Sequence, residues 1–180
     1  MDSKFLKINN DIKVTIYIPC FGYEKFINDS IKSLRNQTFK AFKCYVFILK
    51  EDLKAKEIIL KAIGNDNRFL INELEKRPTI QFLGNLVLNK STSEYLLRLD
   101  ADDKLDLFAL QILINAADED KMIAMVWGCF YYCSEDGDLH NISPYKTILS
   151  DRKDPPHGAC TLIRTSALRA ISGYDEDIKS

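Results

Sequence analysis

Three aspartates within four positions, Asp100, Asp102 and Asp103, follow the apolar run of the segment "YLLRLDADDK" (95–104). Along an extended chain alternate side chains share a face, so Asp100 and Asp102 point together while Ala101 and Asp103 point away. At about 4 Å and an effective dielectric near 20, two such carboxylates repel by roughly 4 kcal/mol, so one protonates or a cation joins them. A divalent metal is the economical partner. Hard cations such as Mg2+ take one or two protein carboxylates and complete their shell with water and phosphate oxygens. The competing reading, a solvated turn or helix start, suits aspartate as a residue type and serves Asp103 equally well. For Asp100 and Asp102 together, placed after a strand, the metal reading is preferred.

Elements able to position these carboxylates follow from hydrophobic periodicity. "VTIYI" (14–18), ended by Pro19, reads as a central strand. Phe26 or Ile27, Ile31 and Leu34 then predict a helix over about 24–36, with Lys25, Asp29 and Lys32 off its apolar stripe. "CYVFIL" (44–49) is a second strand, and Leu53, Ile58, Ile59, Ala62 and Ile63 mark a second helix that stops near Gly64 and Asn65. "RFLI" (68–71) is a short third strand. Pro78 suits the first turn of a third helix, in which Ile80, Leu83, Leu86 and Val87 share a face. After "YLLRL" come a helix around 107–117 and the strand-like "MIAMVWGCFYYC", returning through "SEDGD", where Asp136-Gly137 is a hairpin signal. The stretch 140–159, with three prolines, reads as a mobile loop.

Strands alternating with helices predict an α/β fold: three layers around a mostly parallel sheet, with a late antiparallel hairpin. The 180 residues, 46% hydrophobic and 28% charged, are expected to form a single domain over 1–180. Twenty-five basic residues against twenty-six acidic ones give a net charge of -1, which argues against nucleic acid as a partner. The polar start "MDSKFLKINNDIK" lacks a secretory apolar run, no segment approaches a membrane span, and a cytoplasmic location is expected. The five cysteines show no paired zinc-ligand spacing, and Cys129 and Cys133 read as small buried hydrophobes.

In open α/β sheets ligands bind beyond the carboxyl ends of the strands, where Asp100–Asp103 and the segment "PCFGYE" (19–24) both lie. Four segments together resemble the family 2 glycosyltransferases of GT-A fold: "VTIYIPCFGYEKFINDSIKSLRNQTF", "NKSTSEYLLRLDADD", "VWGCFYYCSEDGD" and "HGACTLIRTSALRAISGYDE". The resemblance implies an inverting, metal-dependent transferase that uses Mn2+ or Mg2+ to move sugar from a nucleotide-diphosphate sugar to a glycan or other hydroxyl acceptor, as in cell-surface or polysaccharide synthesis. It implies Asp102 as metal ligand, Asp100 as a ribose or metal contact, and Pro19, Cys20 and Phe21 beside the base. Asn85 matches a donor-site asparagine, and the segment around His157 and Gly158 resembles the acceptor side.

Departures from the pattern are as informative. Cys20, Phe21 and Gly22 stand where the family usually has threonine or serine, tyrosine and asparagine. Ile48 and Leu49 occupy the positions of two base-holding aspartates, which leaves Glu51 or Asp52 for that role only if the loop is shifted. Gly84 replaces an arginine. The family's general base commonly lies ten to twenty positions beyond a "GYDE"-like segment, and this sequence stops at Ser180, so a domain lacking its C-terminal part is expected. Asp175, Glu176 and His157 are the weaker candidates for that base.

Three other readings compete with this one. A nucleotidyltransferase of similar fold carries a glycine-rich basic loop near its first strand, and "PCFGYEK" has one glycine. A haloacid-dehalogenase-type phosphatase places its aspartates after the first strand, not some eighty residues later. A non-catalytic sugar-nucleotide-binding or interaction domain of the same fold fits the altered base pocket, whereas the Asp100–Asp102 pair opposes it.

Overall fold

The computed structural model describes residues 12–134, 139–142 and 158–178. In chain order its elements are β1 (Val14–Pro19), α1 (Ile27–Asn36), β2 (Phe42–Leu49), α2 (Leu53–Ile63), β3 (Phe69–Leu74), α3 (Ile80–Lys90) and β4 (Tyr95–Arg98). There follow α4 (Ala109–Asp118), β5 (Met125–Val126), β6 (Tyr131–Cys133), β7 (Leu139–Ile142), β8 (Leu162–Arg164) and α5 (Thr165–Ala170).

Alternation along the strands decides how the sheet is covered. Every residue of β1 is buried, and a strand buried on both sides needs a helix layer on each. Val14, Ile16 and Ile18 join Phe42, Cys44, Val46 and Ile48 of β2 in one core, against Ile27, Ile31 and Leu34 of α1, Ile59 of α2 and Leu110 of α4. Tyr17, Tyr45 and Phe47 point the other way, into a second core with Leu83, Val87 and Leu88 of α3 and Leu168 of α5. Each large apolar side chain so buried contributes about 1.5–3 kcal/mol.

The main sheet runs β3-β2-β1-β4-β8-β5. Its first four strands are parallel, and β8 lies antiparallel between β4 and β5. This α/β architecture is the one expected, with two differences of detail. The antiparallel part of the main sheet comes from β8, a three-residue strand too short for periodicity to reveal, and β6 and β7 form a separate two-stranded sheet. Cys129 and Cys133, expected to be buried, are exposed, because β6 and the residues leading into it lie outside both cores.

Local chemistry sets the boundaries. Asp52 caps α2 by accepting from the Ala55 amide at 2.9 Å, and Gly64 ends that helix at φ +57°. Thr79 caps α3 through the Phe82 amide, so Pro78 lies just before the helix and not in its first turn. Helix α1 begins at Ile27, later than expected, because the Phe26 and Ile27 amides first close a turn on the Tyr23 carbonyl. The expected loop at 140–159 overlaps β7 at 140–142, while 143–157 and the Asp136-Gly137 signal lie outside the described residues.

At the far end of the sheet from the aspartates, Arg164 anchors β8. Its guanidinium donates to Glu94 Oε1 at 2.7 Å and to the Ala117 carbonyl at 2.6 Å, and stacks 4.9 Å from the Tyr95 ring. These bonds tie β8 to β4 and α4 and so fix the frame from which Asp100 emerges.

Candidate functional site

From β1 the chain winds outward through β2 and β3, then returns to lay β4 against the other side of β1. Such a reversal opens a crevice beyond the carboxyl ends of the two strands that part there. The segments entering it are Pro19–Gly22 from β1 and Leu99–Asp103 from β4.

Alternation persists just past β4, where Leu97, Leu99 and Ala101 enter the first core. The extended run then ends in a turn closed by the Asp103 amide on the Asp100 carbonyl at 3.1 Å. This turn gives the aspartates different surroundings. Asp100 is partly buried, its carbonyl accepts from Ser30 Oγ at 3.3 Å, and its carboxylate faces Arg98. Arg98 Nε lies 2.9 Å from Oδ1 as an ion pair, and Nη2 donates to Oδ2 at 3.2 Å. Asp102 is exposed and lines a crevice of about 200 Å3 with Phe26, Asp29, Lys104, Cys133 and Ser134.

The floor of the site is aromatic and closely fitted. Tyr17, register partner of Arg98 across the β1–β4 ladder, is buried with Tyr174 as its neighbour. Burial first, then the neighbouring Tyr174, pushes the Tyr17 phenol well above its ordinary range. Cys160 stands close by at φ +58°, an uncommon backbone state for a side chain of its kind, with its amide on the Arg98 carbonyl at 2.7 Å. Burial, aided by Asp103 and Asp100, raises its thiol to about 12, so it stays protonated and unreactive at neutral pH.

Other expected site residues are placed as follows. Pro19 ends β1, Cys20 is fully buried with its thiol raised to about 12 chiefly by burial, and Phe21 belongs to the second core. Their side chains face inward, which leaves backbone groups to meet a ligand. Ile48 is fully buried and Leu49 packs against the second core, while Asp52 is taken by its helix cap. Asn85 spends its whole amide on the C-terminal segment: Nδ2 donates to the Tyr174 carbonyl at 2.9 Å and to Glu176 Oε1 at 2.7 Å, and Oδ1 accepts from the Tyr174 amide at 2.8 Å. Asp175 is exposed and accepts from the Asp177 amide. His157 lies outside the described residues.

Among the described residues no three His, Cys, Asp or Glu side chains group to hold a metal. The exposed carboxylates of Asp102 and Asp29 on one crevice fit a hard cation that shares its shell with a ligand's phosphates and water, not a resident metal enclosed by protein.

The family profile of Glycosyl transferase family 2 matches residues 15–171. This chain belongs to that family. A curated relative, the uncharacterized glycosyltransferase MJ1057 of Methanocaldococcus jannaschii, is 27% identical over 118 residues, which are 64% of this chain and 40% of that protein. The S. aureus TarS 1–349 structure in complex with UDP superposes with a TM-score of 0.70 at 19% identity, over 94% of this chain and 52% of that one. The mannosyltransferase PcManGT of Pyrobaculum calidifontis, in complex with GDP-Man and Mn2+, gives 0.69 at 14% identity, over 97% and 53%. The GT-A α/β fold is thereby established, and the chain spans about half the length of these relatives or less.

Within this family 2 domain, sequence reasoning missed Arg98. The signal was present: a cation two positions before Asp100 in an extended segment shares its face. Arg77, whose guanidinium sits 5.8 Å from the Phe21 ring, was missed for a different reason. Nothing in the spacing of a loop arginine tells which strand end it will approach.

Proposed function

We propose that this chain is the donor-binding part of a metal-dependent, inverting glycosyltransferase that takes sugar from a nucleotide-diphosphate sugar to a hydroxyl acceptor. The observation that carries the reading is Asp102, an exposed carboxylate just beyond β4, one of the two strands at which the order reverses, on a crevice that it shares with Phe26 and Asp29. Asp102 holds Mn2+ or Mg2+ together with the diphosphate, and Asp100 meets the ribose or the same metal. When bound, the cation neutralises charge developing on the departing nucleotide diphosphate. Backbone groups of Pro19–Phe21 border the base. Asn85 acts indirectly, by holding the segment Tyr174–Glu176 against α3. Donors of the kinds bound by the related structures, UDP-GlcNAc in TarS and GDP-Man in PcManGT, are the natural first candidates.

A second reading, donor binding without transfer, is favoured by the state of two base candidates. Glu176 is bonded to Asn85, and Asp175 to the Asp177 amide. Calorimetry with UDP and GDP, with and without Mn2+, tests what both readings share. Manganese-dependent binding that Asp102→Asn abolishes without loss of fold supports the site, and unchanged binding in that variant overturns it. Glycoside formation from a nucleotide sugar then separates transferase from binder.

A further inference from the structure

The site contains a cation of its own. Arg98 faces the same side of the sheet as Tyr17, its register partner, and as Asp100 two positions on. Gly158 packs against the guanidinium, where an added Cβ would come 3.4 Å from Nη2. The Arg98 and Asp100 side chains are 21% and 28% exposed, so their ion pair is held in a partly desolvated place and screened less than a surface pair.

A carboxylate already engaged by a guanidinium is a poor ligand for a bare divalent cation. The metal must displace the arginine or share the carboxylate with it, and arginine cannot escape by losing its proton. The geometry points to Arg98 as a positioning residue that reserves Asp100, so that Mn2+ alone meets the carboxylates of the crevice, Asp102 and Asp29, without Asp100, and enters with the diphosphate that completes its shell. The aspartate pair is thereby kept from collecting free metal, and the Asp100 oxygens keep a fixed orientation toward the ligand. This rests on the donor-site reading above.

The test is Mn2+ binding measured by electron paramagnetic resonance, with and without UDP or GDP, on the full chain. Circular dichroism checks that each variant is folded. Arg98→Gln should bind Mn2+ alone about tenfold more tightly than wild type, a change of about 1.4 kcal/mol, because the Asp100 carboxylate is released. Arg98→Lys should stay near wild type, since charge is kept at that position. Adding Asp100→Asn to Arg98→Gln should cancel the gain, which a merely structural effect of the arginine would not do. Unchanged or weaker Mn2+ binding in Arg98→Gln, with nucleotide-dependent Mn2+ binding intact in wild type, overturns the role of Arg98 and leaves the donor site standing. Absence of Mn2+ binding in wild type with either nucleotide overturns both.

Discussion

The ring of Tyr174 lies over Gly84 so closely that a Cβ on residue 84 would come within 2.5 Å of Tyr174 Cε2 and 2.7 Å of Cδ2. The volume that a side chain at position 84 would need is filled by the tyrosine. Gly173 allows the approach from the other side, at φ +90° and with Asn85 Oδ1 only 2.4 Å from where its own Cβ would stand.

Gly84→Ala therefore sets two effects against each other. Alanine in a helix interior stabilises by up to about 1 kcal/mol over glycine. Overpacking a buried contact costs about 1–3 kcal/mol, and this contact is with a ring held by its backbone. Net destabilisation of about 1–2 kcal/mol is expected in denaturant unfolding, with faster proteolysis near residue 174. Combining it with Tyr174→Ala should relieve the overpacking, so the cost of Gly84→Ala should vanish in that background.

Asn85 offers a sharper test of the same junction. Its Nδ2 donates to a carbonyl and to a carboxylate, and aspartate can do neither. Asn85→Asp would set a charge against the Tyr174 carbonyl and Glu176, whereas Asn85→Ala only removes bonds. We expect Asp to be the worse substitution, with a loss of about 1–3 kcal/mol, and amide exchange over 173–176 to rise more than in the Ala variant.

The fold was legible because β1, β2 and the helix faces of α1 and α2 are patterned at their own periods, and the parallel order follows from strands alternating with helices. Strand β8 was not, since its three residues become a strand only through Arg164 and the ladders on either side. At the site, the carboxylates were visible as a charge run after an apolar strand. Their division was not, because a turn at Asp100–Asp103 breaks the alternation on which the reading depended. The side chains of Cys20 and Asn85 are committed to the core and to the C-terminal segment by contacts between distant parts of the chain, which local spacing does not encode.

Acid stability should depend on Asp66, which sits near the start of β3 under Arg68. Arg68 donates to it through Nε at 2.9 Å and Nη2 at 2.6 Å while stacking 4.3 Å from the Phe42 ring, and Arg35 approaches to 3.9 Å. The Arg68 hydrogen bonds are the main reason that the Asp66 carboxyl is held below its ordinary value. A depressed carboxyl contributes stability that is present above its unfolded value, about pH 3.9, and lost as pH falls through the folded one. Asp66→Asn should cost about 1–2 kcal/mol in urea unfolding at pH 7, and the difference from wild type should shrink by pH 3. A difference of the same size at both pH values would place the effect elsewhere.

Recognition of the nucleotide base should be permissive. Ile48 is fully buried and Leu49 packs on the second core, so neither restores the polar groups that two aspartates would supply, and Cys20 is enclosed. Asp52 cannot substitute without giving up its bond to the Ala55 amide, which leaves exposed Glu51 as the other acid of that loop. A site that hydrogen-bonds a ligand group rejects analogues lacking it by about 10⁴–10⁵, whereas apolar pockets discriminate by only about 10–200-fold. Uridine, guanosine and thymidine diphosphates, titrated in the presence of Mn2+, are expected to bind within about tenfold of one another. A preference of about a hundredfold or more for one base would contradict this. Glu51→Ala then separates the two ways such a preference could arise: its loss in that variant assigns base reading to Glu51, and its survival assigns it to the backbone of Pro19–Phe21.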